Sequence, residues 1–120
     1  PYQPGGIISI GLATAVPVYD AIKSGLDTPS LPADAPALVI WAYLFGGQAG
    51  DALDLAITGP DGAQIHETVL LEKTQAQLFR AIGKRRAAET WPAGLYTGTA
   101  ILLRNGAEVD HQTLTASIGP

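Results

Sequence analysis

Cysteine and methionine are both absent from this 120-residue chain, and charged side chains make up only 15% of it. Without cysteine there is no disulfide framework, no thiolate metal ligand and no thiol nucleophile, and cysteine usage leaves the redox compartment open. Sparse charge beside 47% hydrophobic residues marks a folded chain, not a disordered one. The net charge of −4 has the wrong sign for gripping a phosphate backbone, so nucleic acid is not an expected partner. Membrane-spanning runs are missing as well: residues 7 to 19 are largely apolar but too short, are broken by Pro17, and lack the basic flank of a signal peptide. With Pro1 in place of an initiator Met, the expectation is a processed product or a piece of a longer protein.

Motifs for chemistry are equally scarce. The two histidines each stand beside an acid, in His66-Glu67 and Asp110-His111, but neither HExxH nor H-x-H occurs, and adjacent residues on a strand point to opposite faces. They read as surface histidines, and no metal or cofactor is expected. Ser9, Ser24, Ser30 and Ser117 lack a G-x-S-x-G elbow. Asp51 and Asp54 open an alternating strand and read as its solvated face, while Gly46-Gly47-Gln48-Ala49-Gly50 lacks Walker spacing and reads as an interstrand loop. No catalytic residue is assigned, and the chain is expected not to be an enzyme.

What is present is strand and turn. At 120 residues the length suits one domain burying roughly two-thirds of its unfolded surface. The chain is organised around residues 91 to 106, where Pro92 and Gly94 make a bend, Ile101-Leu102-Leu103 is apolar on both phases, and Asn105-Gly106 suits a type I′ turn because both residues tolerate positive φ. Residues 1–6 are linker-like. Ile7 to Leu12 forms a first strand to which an edge position is open, and residues 14–36 form an irregular connection with one optional short helix at Tyr19 to Gly25. Ala37 to Phe45, with Val39, Trp41, Tyr43 and Phe45 on one phase, reads as a strand covered on both faces. Leu53, Leu55 and Ile57 alternate with Asp54, Ala56 and Thr58, and Gly59-Pro60-Asp61-Gly62 turns the chain into a hairpin with Gln64 to Leu71. Residues 74–82 have helix-forming composition, but Gly83 would cut a helix to about two turns, so a strand is preferred. Lys84 to Thr90 follows as a polar loop. The last strand puts Val109 out of phase with Leu114, Ala116 and Ile118, which calls for a bulge near His111 to Thr113. Seven strands without βα alternation indicate an all-β, antiparallel two-sheet sandwich.

Two groups of residues are candidates for binding. Arg80 with Lys84, Arg85 and Arg86 is the basic cluster, suited to a polyanion or a carboxylate-rich partner, against the plainer reading of a solvated loop. Trp91 with Trp41 offers a sugar-stacking platform, against the preferred reading of both as core.

Gly94-Leu95-Tyr96-Thr97-Gly98 resembles the tyrosine corner of immunoglobulin-like sandwiches, with Gly98 where that family has a cysteine. The ordered set Leu38-Val39-Ile40-Trp41, Gly50-Asp51, Thr58-Gly59-Pro60-Asp61-Gly62, Gln75 to Arg80, Gly83-Lys84-Arg85-Arg86 and Trp91 to Tyr96 is similar to the non-catalytic C-terminal domain of lysostaphin/LytM-type bacterial zinc peptidases, over roughly residues 30 to 110. Those peptidases hold zinc through a His, an Asp and the second His of an H-x-H motif, a pattern this chain lacks. The resemblance therefore implies an accessory domain, in the periplasm or cell envelope, whose partner is a catalytic domain of the same polypeptide or another envelope protein. A second reading is an autonomous module binding glycan, peptidoglycan included, or an envelope protein. A third, a small hydrolase, would need His66 and His111 to converge.

Overall fold

Seven strands make up the described residues, 5–13 and 32–118, of the computed structural model. In chain order they are β1 (Gly6–Ala13), β2 (Ala37–Gly47), β3 (Ala52–Gly59), β4 (Gly62–Leu70), β5 (Gln75–Arg85), β6 (Gly94–Arg104) and β7 (Ala107–Ile118). One sheet has the order β1-β2-β5 and the other β4-β3-β6-β7, with every pairing antiparallel. The described residues thus form the expected all-β sandwich, with seven strands among them. In constant-type immunoglobulin domains four strands face three, the fourth strand siding with the first sheet. Here β4 stays with β3, because Gly59 pairs directly with Gly62 across a two-residue turn, with Gly62 at φ 114°. So short a turn returns the chain along the same sheet.

β6 lies inside the four-stranded sheet, between β3 and β7. Its alternation sends Tyr96, Ala100 and Leu102 fully inside. The Tyr96 hydroxyl donates to the Pro92 carbonyl at 2.7 Å, which is the corner bond expected of Pro92-Gly94-Tyr96. Burial, and then the negative charge of Asp61, push the Tyr96 pKa above its ordinary value, so the group stays a donor at neutral pH. Tyr96→Phe keeps the ring and removes this bond, and should lower stability by about 1–2 kcal/mol in chemical denaturation; a change below about 0.3 kcal/mol would show the hydroxyl to be solvated. Gly98 is side-chain-free for a packing reason. A Cβ there would lie 3.0 Å from Leu12 Cδ2 and 3.1 Å from Ile40 Cδ1, so aliphatic groups from the other sheet occupy the space of the family's cysteine. At the far end Asn105 (φ 54°) and Gly106 (φ 79°) form the turn into β7, both with positive φ as a type I′ turn requires.

Opposite β6, the β2 residues Leu38, Ile40, Ala42 and Leu44 share the interior with Leu53, Leu55 and Ile57 of β3. The other phase of β2 is buried too: Trp41 and Tyr43 form a second cluster with Ala13, Phe79 and Ala81. The two-sided cover ends at Phe45, which is exposed. Among the described residues β1 is an edge strand, and residues 75–82 are strand and not helix, with Thr74 just before β5, which supplies Leu78 and Ile82 to the interior from one phase. Of the linker-like stretch 1–6, Gly6 already belongs to β1, and residues 1–4 lie outside the described residues. The polar loop starts at Arg86, since Lys84 and Arg85 still pair with Leu38 and Ala37. The proposed short helix at Tyr19 to Gly25, and residues 14–31 of the connection, lie outside the described residues.

The phase change in β7 occurs earlier than expected. The register shifts between Leu102 and Leu103, which leaves Val109 as the extra residue in place of one among His111 to Thr113. Its consequence is mechanical: Asp110 and Gln112 now take the phase that reaches β1. The Asp110 carboxylate accepts the Ile7 N–H at 2.9 Å, and the Gln112 amide donates to the Ile7 carbonyl at 2.7 Å. Two side chains thereby satisfy the backbone groups of Ile7 on an edge strand and tie the two sheets together at that point.

Candidate functional site

The basic cluster sits on β5 and the residues just after it, and among the described residues β5 is the end strand of its sheet. Leu78 and Ile82 face inward, so the period of two puts Arg80 and Lys84 on the same inward phase, where their stems emerge at the open side between β5 and β4. The Arg80 guanidinium folds back to donate to the Phe79 carbonyl at 2.7 Å. Across this side β4 carries Glu67 on its own inward phase, opposite Leu55 and between Ile65 and Val69; an edge position lets the carboxylate reach solvent. Arg85 and Arg86 are exposed, and Arg86 is held by its backbone N–H to the Pro36 carbonyl and by its side chain to the Asp34 carbonyl.

Two recesses flank β5. One, of about 360 Å³, is lined by Leu70, Glu72, Lys73, Gln75 and Arg80. The other, of about 140 Å³, is lined by Lys84, Arg86, Ala87, Ala88, Thr90, Trp91 and Pro92. The structure therefore brings Lys84, Arg86 and Trp91 together and places Arg80 at the other recess, four residues and about 13 Å along the strand. Trp91 offers no open ring face for stacking. It is 5% exposed, packs in the core, and donates its indole N–H to the Ala35 carbonyl at 2.8 Å, so the platform reading is corrected to a core residue with one edge at a recess. Trp41, 3% exposed, is core as well.

Asp51 was expected on a solvated face and is instead 2% exposed. Arg104 grips it with two hydrogen bonds of 2.9 Å, the Gln48 N–H adds a third of 2.9 Å, and the same guanidinium donates to the Gly46 carbonyl at 3.0 Å. Burial alone would raise the carboxyl pKa. The Arg104 hydrogen bond, the Gln48 amide and the Arg104 charge together outweigh it and hold Asp51 below the ordinary carboxylate value. This is a strut between the β2–β3 loop and the end of β6. The glycine-rich loop beside it has its amides engaged: Ala49 N–H reaches the Thr74 hydroxyl and Gly50 N–H the Leu71 carbonyl. No amide nest for phosphate is left over there.

The outer face of the four-stranded sheet carries both histidines on its two edge strands. His66 pairs with Asp54, which also accepts from the Thr68 hydroxyl at 3.1 Å, and His111 pairs with Glu108 at 2.9 Å. β3 and β6 lie between them, a gap of about 14 Å at three strand spacings. They do not converge, and among the described residues no group of three or more His, Cys, Asp and Glu is arranged to hold a metal ion. Among the same residues no helix is long and apolar enough to cross a membrane.

No family model matches the chain, and no curated protein does. Part of the solved structure of a Bifidobacterium dentium beta-glucuronidase complexed with coumarin-3-O-glucuronide is similar to it, with a TM-score of 0.54 and 24% identity over 95% of this chain. The chain spans 18% of the length of that enzyme, and the likeness is one of fold.

Proposed function

We propose that this chain is a non-catalytic accessory domain of a larger protein, acting by contact with a partner and not by chemistry of its own. The observation that carries the reading is how its polar interior is used. Asp51, Arg104, Trp91 and Tyr96 each spend their polar atoms on holding a loop or a corner, and the titratable histidines sit apart on opposite sheet edges. A sandwich that makes up a small share of a far longer enzyme chain supports the same view. Following the motif resemblance, the parent is a peptidoglycan-directed zinc peptidase of the periplasm or cell envelope, and the partner is its catalytic domain or another envelope protein. The second reading, an autonomous module for glycan or envelope protein, is favoured by the recess that joins Lys84 and Arg86 to the edge of Trp91.

The purified 120 residues test the first reading. Zinc titration by calorimetry should show no stoichiometric site, and a muropeptide-release assay should give no more product than a heat-killed control. A catalytic zinc site takes about three protein ligands and an open position for water. Micromolar binding that His66→Ala and His111→Ala each abolish, or release of cleaved muropeptides, would replace the accessory domain with a hydrolase.

A further inference from the structure

Among the described residues β5 has a strand neighbour on one side only. From the pattern along that open edge we infer that β5 is a docking strand for an extended acidic segment of a partner, which adds to the three-stranded sheet as a fourth strand. The inference rests on the accessory-domain reading and supplies the chemistry of its partner.

Three features of the edge point the same way. The first is charge. Arg80, Lys84, Arg85 and Arg86 are four of the seven Lys and Arg in the chain, and the stretch from Gln75 to Arg86 contains no Asp or Glu, in a protein of net charge −4. Cations four residues apart on one phase, about 13 Å, match acids at the same interval on an added strand, whose side chains repeat with the same period. The second is shape, for two recesses lie beside β5, one between its start and the β4–β5 connection, where Glu72 and Lys73 line it with Gln75 and Arg80, and one at Lys84 and Arg86; the first includes Leu70, an aliphatic side chain 65% exposed. Leu70 gives an added strand an exposed aliphatic side chain to pack against. The third is the contrast with the opposite side of the sandwich, where Asp110 and Gln112 satisfy the edge backbone of β1 at Ile7. On β5 the guanidinium of Arg80 rests on the Phe79 carbonyl, where an incoming carboxylate can draw it away.

Inward-pointing charge on an edge strand also serves to repel unwanted pairing. Both effects select the same partner. A second copy laid antiparallel on β5 would set cations against cations, and an apolar strand would bring no countercharge to the basic edge. An acidic strand adds a backbone ladder to the edge and carboxylates beside its cations.

The test uses a capped peptide alternating Glu and Val and matching the 11 residues of β5, with two peptide controls: its Lys-Val counterpart, and the Glu-Val peptide N-methylated at alternate residues. Binding is followed by fluorescence anisotropy, and amide exchange by NMR. The Glu-Val peptide should bind saturably and slow exchange of β5 amides that exchange freely without it. N-methylation, which removes ladder donors at constant charge, should weaken binding by about tenfold or more, as should Arg80→Gln with Lys84→Gln. The Lys-Val peptide should not bind. Absence of saturable binding overturns the inference, and so does equal binding of the N-methylated peptide or binding without β5 protection, either of which reduces the edge to a patch of charge. Such failure leaves the accessory-domain reading standing, because that reading is decided by separate measurements: zinc binding and cleavage by the chain itself, and the stability of a Trp91→Ala variant.

Discussion

Arg104→Ala is expected to destabilise the chain by about 3–5 kcal/mol at neutral pH, because it leaves the Asp51 carboxylate buried without its cation. Asp51 is 2% exposed and Arg104 18% at the side chain, so the arginine can reach water when its partner is gone and the aspartate cannot. Asp51→Asn should therefore cost less than Arg104→Ala, since an amide oxygen still accepts the Gln48 N–H and no buried charge remains. The pH dependence gives the pair a signature of its own. In the native chain Asp51 titrates below its unfolded value of 3.8, so its stabilisation is fully present above that pH and is lost as pH falls through the folded value. In Arg104→Ala only burial and the Gln48 amide remain. Burial dominates, the carboxyl shifts up, and the folded state now binds the proton more readily than the unfolded one. The stability gap between the two proteins should thus be widest near neutral pH and narrow on acidification toward pH 4. Urea denaturation from pH 7 to pH 4 measures it. A gap that stays constant, or a loss below about 1 kcal/mol, would show that the pair is solvated and is no strut.

The features legible in the sequence are local ones. Asn105-Gly106 carries its turn in its own φ preferences, the alternation of Leu53, Leu55 and Ile57 carries a half-buried strand, and Tyr96 two residues before Gly98 carries the corner. The assignment of β5 as a strand came from its neighbours and from Gly83, against its own composition, and the interior positions of Leu78 and Ile82 explain why packing overrides propensity there. What stayed hidden depends on register between distant strands. Asp51 beside Asp54 looks like one solvated pair, and only the pairing of Ala52 with Leu103 brings Arg104 up to Asp51. A signal existed: Arg104 ends an apolar run at a strand terminus, where a cation needs a reason to lie next to buried residues. The bulge at Val109 was misplaced for a similar cause. Phase alone allows it anywhere between Val109 and Leu114, and its position is fixed by the hydrogen bonds of Asp110 and Gln112 to Ile7, more than 100 residues away. For the basic cluster, composition gave the charges and the fold gave their alignment along an open edge.

Trp91→Ala should be the other severe substitution, at about 3–5 kcal/mol, the range for removing a buried large aromatic side chain. Three links converge on this residue. Its ring packs in the core at 5% exposure, its indole N–H satisfies the Ala35 carbonyl at 2.8 Å, and its backbone N–H reaches the Ala33 carbonyl at 2.8 Å. Truncation opens a cavity and orphans the carbonyl of Ala35, a residue 1% exposed, so the turn at residues 33–35 keeps only the backbone bond at Ala33 as its tie to the corner. Pro92, whose carbonyl receives the Tyr96 hydroxyl, follows directly in the chain, so the damage should extend to the corner bond. Trp91→Phe separates the contributions: it keeps much of the packing and loses the indole donor, and should cost about 1–2 kcal/mol plus a smaller cavity term. A stacking platform behaves in the opposite way, with Trp91→Ala leaving stability within about 0.5 kcal/mol, as surface substitutions do, while abolishing retention on a glycan matrix. Denaturation midpoints of the two variants, read by far-ultraviolet circular dichroism so that the loss of one tryptophan does not confound the signal, decide between them. A stable Trp91→Ala protein would return Trp91 to the surface and make the autonomous glycan module the better account of this domain.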